Sequence, residues 1–186
     1  MDALIPVFIA VLLAETGDRV QTQAHHLGQQ FPDHRPIYAA LITVTILTLS
    51  ISGIGGSYIA NLLTYEARTL FAALALLFAG LPMLLRVKPA KPITLTRAFL
   101  ASVTRFFPAQ IAGASPFIVA GLAARSDMAG FAIAGGFAGV VVAATPALLL
   151  KEEWPGGLPL LPLRRIAAVL LIGAGLWLGL NALRLI

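Results

Sequence analysis

The sequence predicts an all-α integral membrane protein, with six transmembrane helices arranged as two inverted three-helix repeats in one membrane domain. The repeats are residues 1–90 and 91–186. Three observations carry this. First, 59% of the 186 residues are apolar and 11% charged, against roughly 45–50% and about 25% in soluble domains. Second, long stretches carry no charge at all: 30 residues between Arg35 and Glu66, 17 between Arg68 and Arg86, 19 between Arg105 and Arg125, 23 between Asp127 and Lys151, and 18 between Arg165 and Arg184. Third, a weak internal similarity recurs at an offset of 95 residues, matching Phe78-Ala79-Gly80-Leu81 with Gly173-Ala174-Gly175-Leu176 and Glu15 with Gln110.

A helix of about 20 apolar residues spans the hydrocarbon core, and backbone groups in lipid must be satisfied within the segment. Runs such as Leu74-Ala75-Leu76-Leu77-Phe78-Ala79 lack the alternation of a membrane barrel strand. Helices are therefore expected near 3–24, 37–63, 68–86, 97–124, 128–150 and 165–184. Mapping the first segment onto the longer fourth one extends it to about Gln30, which places Glu15 near its middle. Pro32 and Pro36 break the chain after the first helix, and Pro155-Gly156-Gly157 and Pro159 after the fifth. Eight Lys and Arg residues fall on the links after helices one, three and five, including Arg35, Arg86, Lys88, Lys91, Arg97, Lys151, Arg164 and Arg165. Three, Arg68, Arg125 and Arg184, fall on the other side. The positive-inside rule then puts those links in the cytoplasm and both termini outside. An odd number of helices per half inverts the second half, as in many transporters with a site between repeats.

Composition excludes several classes. The net charge of +5 is spread between apolar runs and forms no basic patch, so no nucleic acid is expected. With no cysteine there is no disulfide, thiol chemistry or Cys-bound zinc. Met1-Asp2-Ala3 carries no basic n-region, so no cleaved signal is expected. Neither Gly-x-Ser-x-Gly nor His-Glu-x-x-His occurs, and the chain is not expected to be an enzyme.

Two places carry chemistry. Glu15, Asp18 and Thr22 stand at i, i+3 and i+7, one helix face if the helix is continuous, with Arg19 alongside. Acids inside a membrane cost at least about 2.5–3.5 kcal/mol each and face a cavity or a partner. Two neighbouring carboxylates repel, and a divalent cation or a proton relieves the repulsion. Calcium, magnesium or manganese suit such oxygen ligands. The plainer reading is an ion pair with Arg19 or Arg105 that locks the bundle. The second place is Phe107 to Pro116, where Pro108 and Pro116 cannot donate to Thr104 and Ala112, so the fourth helix should kink or break around Gln110. Freed carbonyls, Gln110 and Ser115 could then line a cavity; the alternative is a packing kink eased by Gly113. Small residues in helix two (Gly53, Gly55, Gly56, Ser57, Ala60) and helix five (Gly130, Gly135, Gly136, Gly139) read as packing surfaces. His25 and His26 read as interfacial residues, with metal binding or a proton relay as the alternative. Trp154, Trp177, Tyr38, Tyr58 and Tyr65 read as interface anchors, and Glu152-Glu153 as a solvated loop.

Glu15-Thr16-Gly17-Asp18-Arg19-Val20-Gln21 resembles the Glu-x-Gly-Asp-(Lys/Arg)-(Ser/Thr)-Gln signature of Golgi and bacterial cation/proton antiporters that handle calcium and manganese, relatives of the lysine-exporter superfamily. Only Val20 departs from it. The resemblance implies two inverted three-helix halves, each with one motif copy. In the second half Gln110-Ile111-Ala112-Gly113-Ala114-Ser115-Pro116 occupies the motif's place and only Ser115 matches. The resemblance implies Glu15 and Asp18 as metal ligands, with Gln110 where a third acidic ligand is expected. Glu15, Asp18, Gln110 and Ser115 form the cation- and proton-binding set, supported by Gly17, Arg19, Gln21, Thr22 and Gly113. The expected function is export of Mn2+ or Ca2+ in exchange for protons across a bacterial-type inner (plasma) membrane. No permanently bound cofactor is expected, and the expected partners are the bilayer, the cation and protons. Two lost acids leave three outcomes: divalent exchange on one acidic pair, completion of the site by a second copy in a homodimer, or export of a small cationic organic solute. A non-transporting scaffold or partner subunit is the alternative from another class.

Overall fold

A computed structural model describes residues 3–85, 97–126, 128–150 and 160–185. Arg86, Lys88, Lys91, Asp127, Lys151, Glu152, Glu153, Trp154 and the Pro155–Pro159 stretch lie outside the described residues. Those that are described form eight α-helices and no strand: α1 (Leu4–Glu15), α2 (Arg19–Gln30), α3 (Arg35–Ala60), α4 (Tyr65–Met83), α5 (Ala98–Ile111), α6 (Ser115–Arg125), α7 (Ala129–Leu149) and α8 (Leu160–Ala182).

The chain is a multi-pass membrane protein, and its surface is turned inside out relative to a soluble one. Ile5, Ile51, Ile54, Phe78, Val169 and Trp177 point outward, while Glu15, Gln21, Thr45, Thr48, Gln110, Ser115 and Arg164 are buried. Apolar groups facing lipid lose nothing by exposure, whereas polar groups there must find partners inside. Four helices, α3, α4, α7 and α8, are long and apolar enough to cross a membrane, and the α5–α6 pair, bent by 53°, is long and apolar enough when taken together, as a broken span or a re-entrant loop.

The first segment departs from the expected single apolar helix. It does run to Gln30, but it is broken after Glu15. The 12 residues of α1 make only about 18 Å of helix, short of the roughly 30 Å core. The other half, Arg-Val-Gln-Thr-Gln-Ala-His-His-Leu-Gly-Gln-Gln, is polar apart from the stripe Val20, Ala24, Leu27 and Gly28 that packs inward. Six apolar spans are therefore not what the described residues contain.

Local sequence explains the boundaries. Gly17 sits at φ +68°, a conformation costly for any side chain with a Cβ, and it ends α1. Pro36 occupies the first turn of α3 and Pro116 that of α6, where a missing N–H costs nothing. Thr64 caps α4 by accepting from the Ala67 N–H. Pro108 lies in the last turn of α5, and the break falls just beyond Gln110, at Ala112–Ala114.

The halves pack reciprocally. In the first half, α3 packs on both α5 and α6; in the second, α7 packs on both α1 and α2. Between them α4 runs against α8, and α3 against α7. Close approaches make these contacts: a methyl on Gly56 would strike the Ala120 carbonyl, and one on Gly135 the Leu4 carbonyl. Gly53 and Gly136 are crowded by the Ile133 and Val119 side chains respectively, and Gly139 is packed more loosely against Phe8 and Val11, as a packing role requires. Gly55 and Gly130 face open space and have no such role.

Candidate functional site

Both breaks lie inside the bundle, and the predicted site residues cluster around them. At the first, Glu15 is the last residue of α1 and is 1% exposed. Its Oε1 accepts a hydrogen bond from the Ser115 hydroxyl, at the start of α6. Its Oε2 is buried with no hydrogen-bond partner among the described residues. A buried acceptor left unpaired costs about 1–3 kcal/mol, more when charged. This is the one acid of the molecule in that situation among the described residues.

Asp18 opens α2 in an extended conformation. Because Thr16–Asp18 interrupts the helix, Glu15, Asp18 and Thr22 do not share one helical face, contrary to the i, i+3, i+7 expectation. The Thr22 hydroxyl turns back onto the Asp18 carbonyl at 3.0 Å. Gln21 holds the break in shape: its Oε1 accepts from the Gly17 N–H at 2.7 Å, and its Nε2 donates to the Ala143 carbonyl of α7 at 2.8 Å. That reach-back satisfies the Gly17 N–H, which lies between the two helices and outside both.

The ion pair of Asp18 is with neither Arg19 nor Arg105. Asp18 Oδ1 lies 3.6 Å from the guanidinium of Arg164. Arg105 instead meets the Gln23 side chain of α2, and Arg19 is exposed at the cavity edge. Arg164 was expected in a loop before a helix beginning at 165. In fact α8 begins at Leu160, which puts Arg164 in its second turn and 6% exposed. There Nε donates to the Met83 carbonyl (2.9 Å) and Nη1 to the Gly17 carbonyl (2.8 Å), with Nη2 3.4 Å from the Pro82 carbonyl. The Met83 and Pro82 carbonyls belong to the last turn of α4, where a cation is favoured, and the Pro82 carbonyl also accepts from the Leu85 N–H at 3.0 Å.

At the second break, Gln110 is fully buried. Its Nε2 donates to the Thr45 hydroxyl at 2.6 Å, and its Oε1 accepts from Thr48 at 2.7 Å. Thr45 and Thr48 stand about halfway along α3. The hydrogen bonds thus bring Ser115 onto Glu15 and leave Gln110 on α3. Sequence reasoning missed Thr45, Thr48 and Arg164; the i, i+3 pair of threonines in an apolar helix was the available signal for the first two.

An open cavity of about 680 Å³ touches both breaks. Asp18 and Arg19 line it from the first, Ala112, Gly113 and Ala114 from the second, and Pro82, Met83 and Arg164 close one side. The described residues hold no cluster of three or more His, Asp and Glu. His25 and His26 lie on α2 with ring centres 5.6 Å apart, away from this cavity's lining.

The cavity is lined by Asp18 and by broken backbone, and Glu15, with its spare oxygen, is buried directly after the lining residue Ala14; that is an arrangement that can receive a cation. No curated protein and no solved structure matches the chain. The first half does find a counterpart: residues 3–91 match the family described as divalent cation/proton antiporter GDT1, the family that the Glu15–Gln21 motif resembles.

Proposed function

We propose that this protein is a secondary transporter exporting a divalent cation, Mn2+ or Ca2+, in exchange for protons, across a bacterial-type inner membrane with both termini outside. The observation that carries the proposal is Glu15: a buried acid with one oxygen bonded to Ser115 and the other without a partner among the described residues. A proton or a metal ion satisfies that oxygen equally, and a site that must hold one or the other is the minimum needed for exchange. Asp18 supplies the second charge from across the break, and Ser115 a neutral oxygen. Gln110 takes the place of the third ligand, its carbonyl oxygen keeping a second lone pair beside the Thr48 bond. The reciprocal packing of α3 with α5 and α6, and of α7 with α1 and α2, supports two inverted three-helix repeats divided near residue 90. Movement of one half against the other around the breaks would then give alternating access.

The test is flux in liposomes. Purified protein should move Mn2+ or Ca2+ against an imposed pH gradient, and Glu15→Gln should reduce that flux to the level of empty vesicles. Unchanged flux in Glu15→Gln removes the site. One observation favours the alternative of a non-transporting scaffold: the Arg164–Asp18 pair ties three helices together. A scaffold shows no flux of either ion and no metal binding at Glu15.

A further inference from the structure

Arg164 belongs to no part of the motif, yet among the described residues it is the cation that forms an ion pair with Asp18. Its guanidinium is held by backbone: 2.9 Å from Nε to the Met83 carbonyl and 2.8 Å from Nη1 to the Gly17 carbonyl. The Asp18 carboxylate, by contrast, stands 3.6 Å away, beyond hydrogen-bond range. The carbonyls satisfy the guanidinium's donors, and the carboxylate meets its charge without being bonded to it. Both side chains are nearly buried, 8% and 15% exposed, and both line the same cavity. A cation entering there arrives at Asp18 against a fixed positive charge.

We propose that Arg164 is a tethered cation that competes with the transported ion for Asp18, and thereby sets how tightly the site holds a divalent ion. The inference rests on the antiport reading. With both acids ionised, Glu15 and Asp18 carry two negative charges, and Arg164 offsets one of them. Two acids would neutralise a divalent ion alone; with Arg164 in place the site falls one charge short, before counting Arg19 at the exposed edge of the cavity. Arg164 therefore acts on the ion through Asp18 and by its field, as a specificity-determining residue and not as a ligand.

The experiment is Mn2+ binding to the full chain in detergent, measured calorimetrically. Arg164→Gln should bind Mn2+ about tenfold or more tightly, the scale of removing a like charge at close range in a partly buried site. Arg164→Lys, which keeps the charge but not the fork, should stay near the wild type. A role confined to capping α4 predicts the opposite pattern: both variants lose thermal stability and neither gains affinity. Because the chain has no cysteine, Arg164→Cys gives a second route if the Gln variant does not fold. Its single thiol can carry either a cationic aminoethyl or a neutral alkyl adduct, and the neutral adduct should bind Mn2+ more tightly by a similar factor. Equal affinity of the two adducts, or unchanged affinity in Arg164→Gln, overturns the competition while Glu15→Gln still abolishes binding. If the wild type binds neither Mn2+ nor Ca2+, or Glu15→Gln binds as well as the wild type, the antiport reading itself fails.

Discussion

Restoring an acid at the second break, by Gln110→Glu, separates a metal-facing position from a structural one. The side chain is fully buried and both of its partners are hydroxyls, Thr45 at 2.6 Å and Thr48 at 2.7 Å. Hydroxyls donate or accept as required. A carboxylate of the same shape keeps the Thr48 bond, and the Thr45 hydroxyl reverses to donate to it, so the change adds charge without a cavity or a clash. Hydrogen bonds to a charged group contribute about 1.5–3 kcal/mol each, which offsets part of the several kcal/mol that burying an unpaired charge costs. The metal-free variant should therefore be less stable than the wild type but folded. With Mn2+ the order changes. A ligand at 100 times its Kd stabilises by about 2.7 kcal/mol, and at 1,000 times by about 4.1 kcal/mol. If the added charge tightens binding tenfold, the same Mn2+ concentration gives the variant about 1.4 kcal/mol more stabilisation. At this chain length that is roughly 3–6 °C of extra shift in Tm. The assay is thermal unfolding in detergent across a Mn2+ titration, wild type beside variant. An identical Mn2+-induced shift in both would refute the reasoning, because it would place position 110 out of electrostatic reach of the ion.

Three further substitutions test the frame around the site. Gly17→Ala puts a Cβ at φ +68° and should cost about 1–2 kcal/mol in unfolding measurements, with metal binding weakened because the carbonyl that Gly17 offers to Arg164 shifts; no loss of stability would mean the break relaxes freely. Gly56→Ala drives a methyl into the Ala120 carbonyl between α3 and α6 and should cost about 1–3 kcal/mol, whereas Gly55→Ala, facing open space, should be neutral in the same thermal assay. Ser115→Ala removes the donor to Glu15 Oε1, so both carboxylate oxygens are left without protein partners; Mn2+ binding should weaken by about 1.5–3 kcal/mol, and calorimetry showing wild-type affinity would remove Ser115 from the site.

The spans were legible because the membrane imposes them: uncharged runs bounded by Arg35, Glu66, Arg68, Asp127 and Arg184 bracket α3, α4, α7 and α8 to within a few residues. The fourth segment's break was legible too, since two prolines in one apolar run cannot both be accommodated in a straight helix. The first break was not. Gly17 is one glycine among 17, and nothing local distinguishes a left-handed glycine from one packed in a helix, so Glu15 and Asp18 read as neighbours on a continuous face. Arg164 was hidden by the rule that found the spans. Counting charges as loop residues assigns every cation near a helix end to water, and the carbonyls that hold this one come from Gly17 and Met83, 147 and 81 residues away in sequence. Contacts of that range leave no periodicity to detect.

The two breaks differ in electrostatics, and the difference bears on how the molecule works. Gln110 is complete within the protein: both ends of its amide are bonded to α3, so the second break is stable with no ion present. Glu15 is incomplete, with one oxygen on Ser115 and one on nothing among the described residues. The acid and its donor also come from opposite halves, α1 and α6, so whatever occupies the free oxygen bears on the contact between them. An exchanging site needs such a group, whose best partner is not part of the chain, because a fully satisfied acid has no reason to release a proton or admit a metal. In a site with acids in both halves, each half would need the ion. Under the proposed exchange, Gln110 of the second half, a neutral amide held by Thr45 and Thr48 of the first, is the fixed wall against which a single buried carboxylate would be emptied and filled.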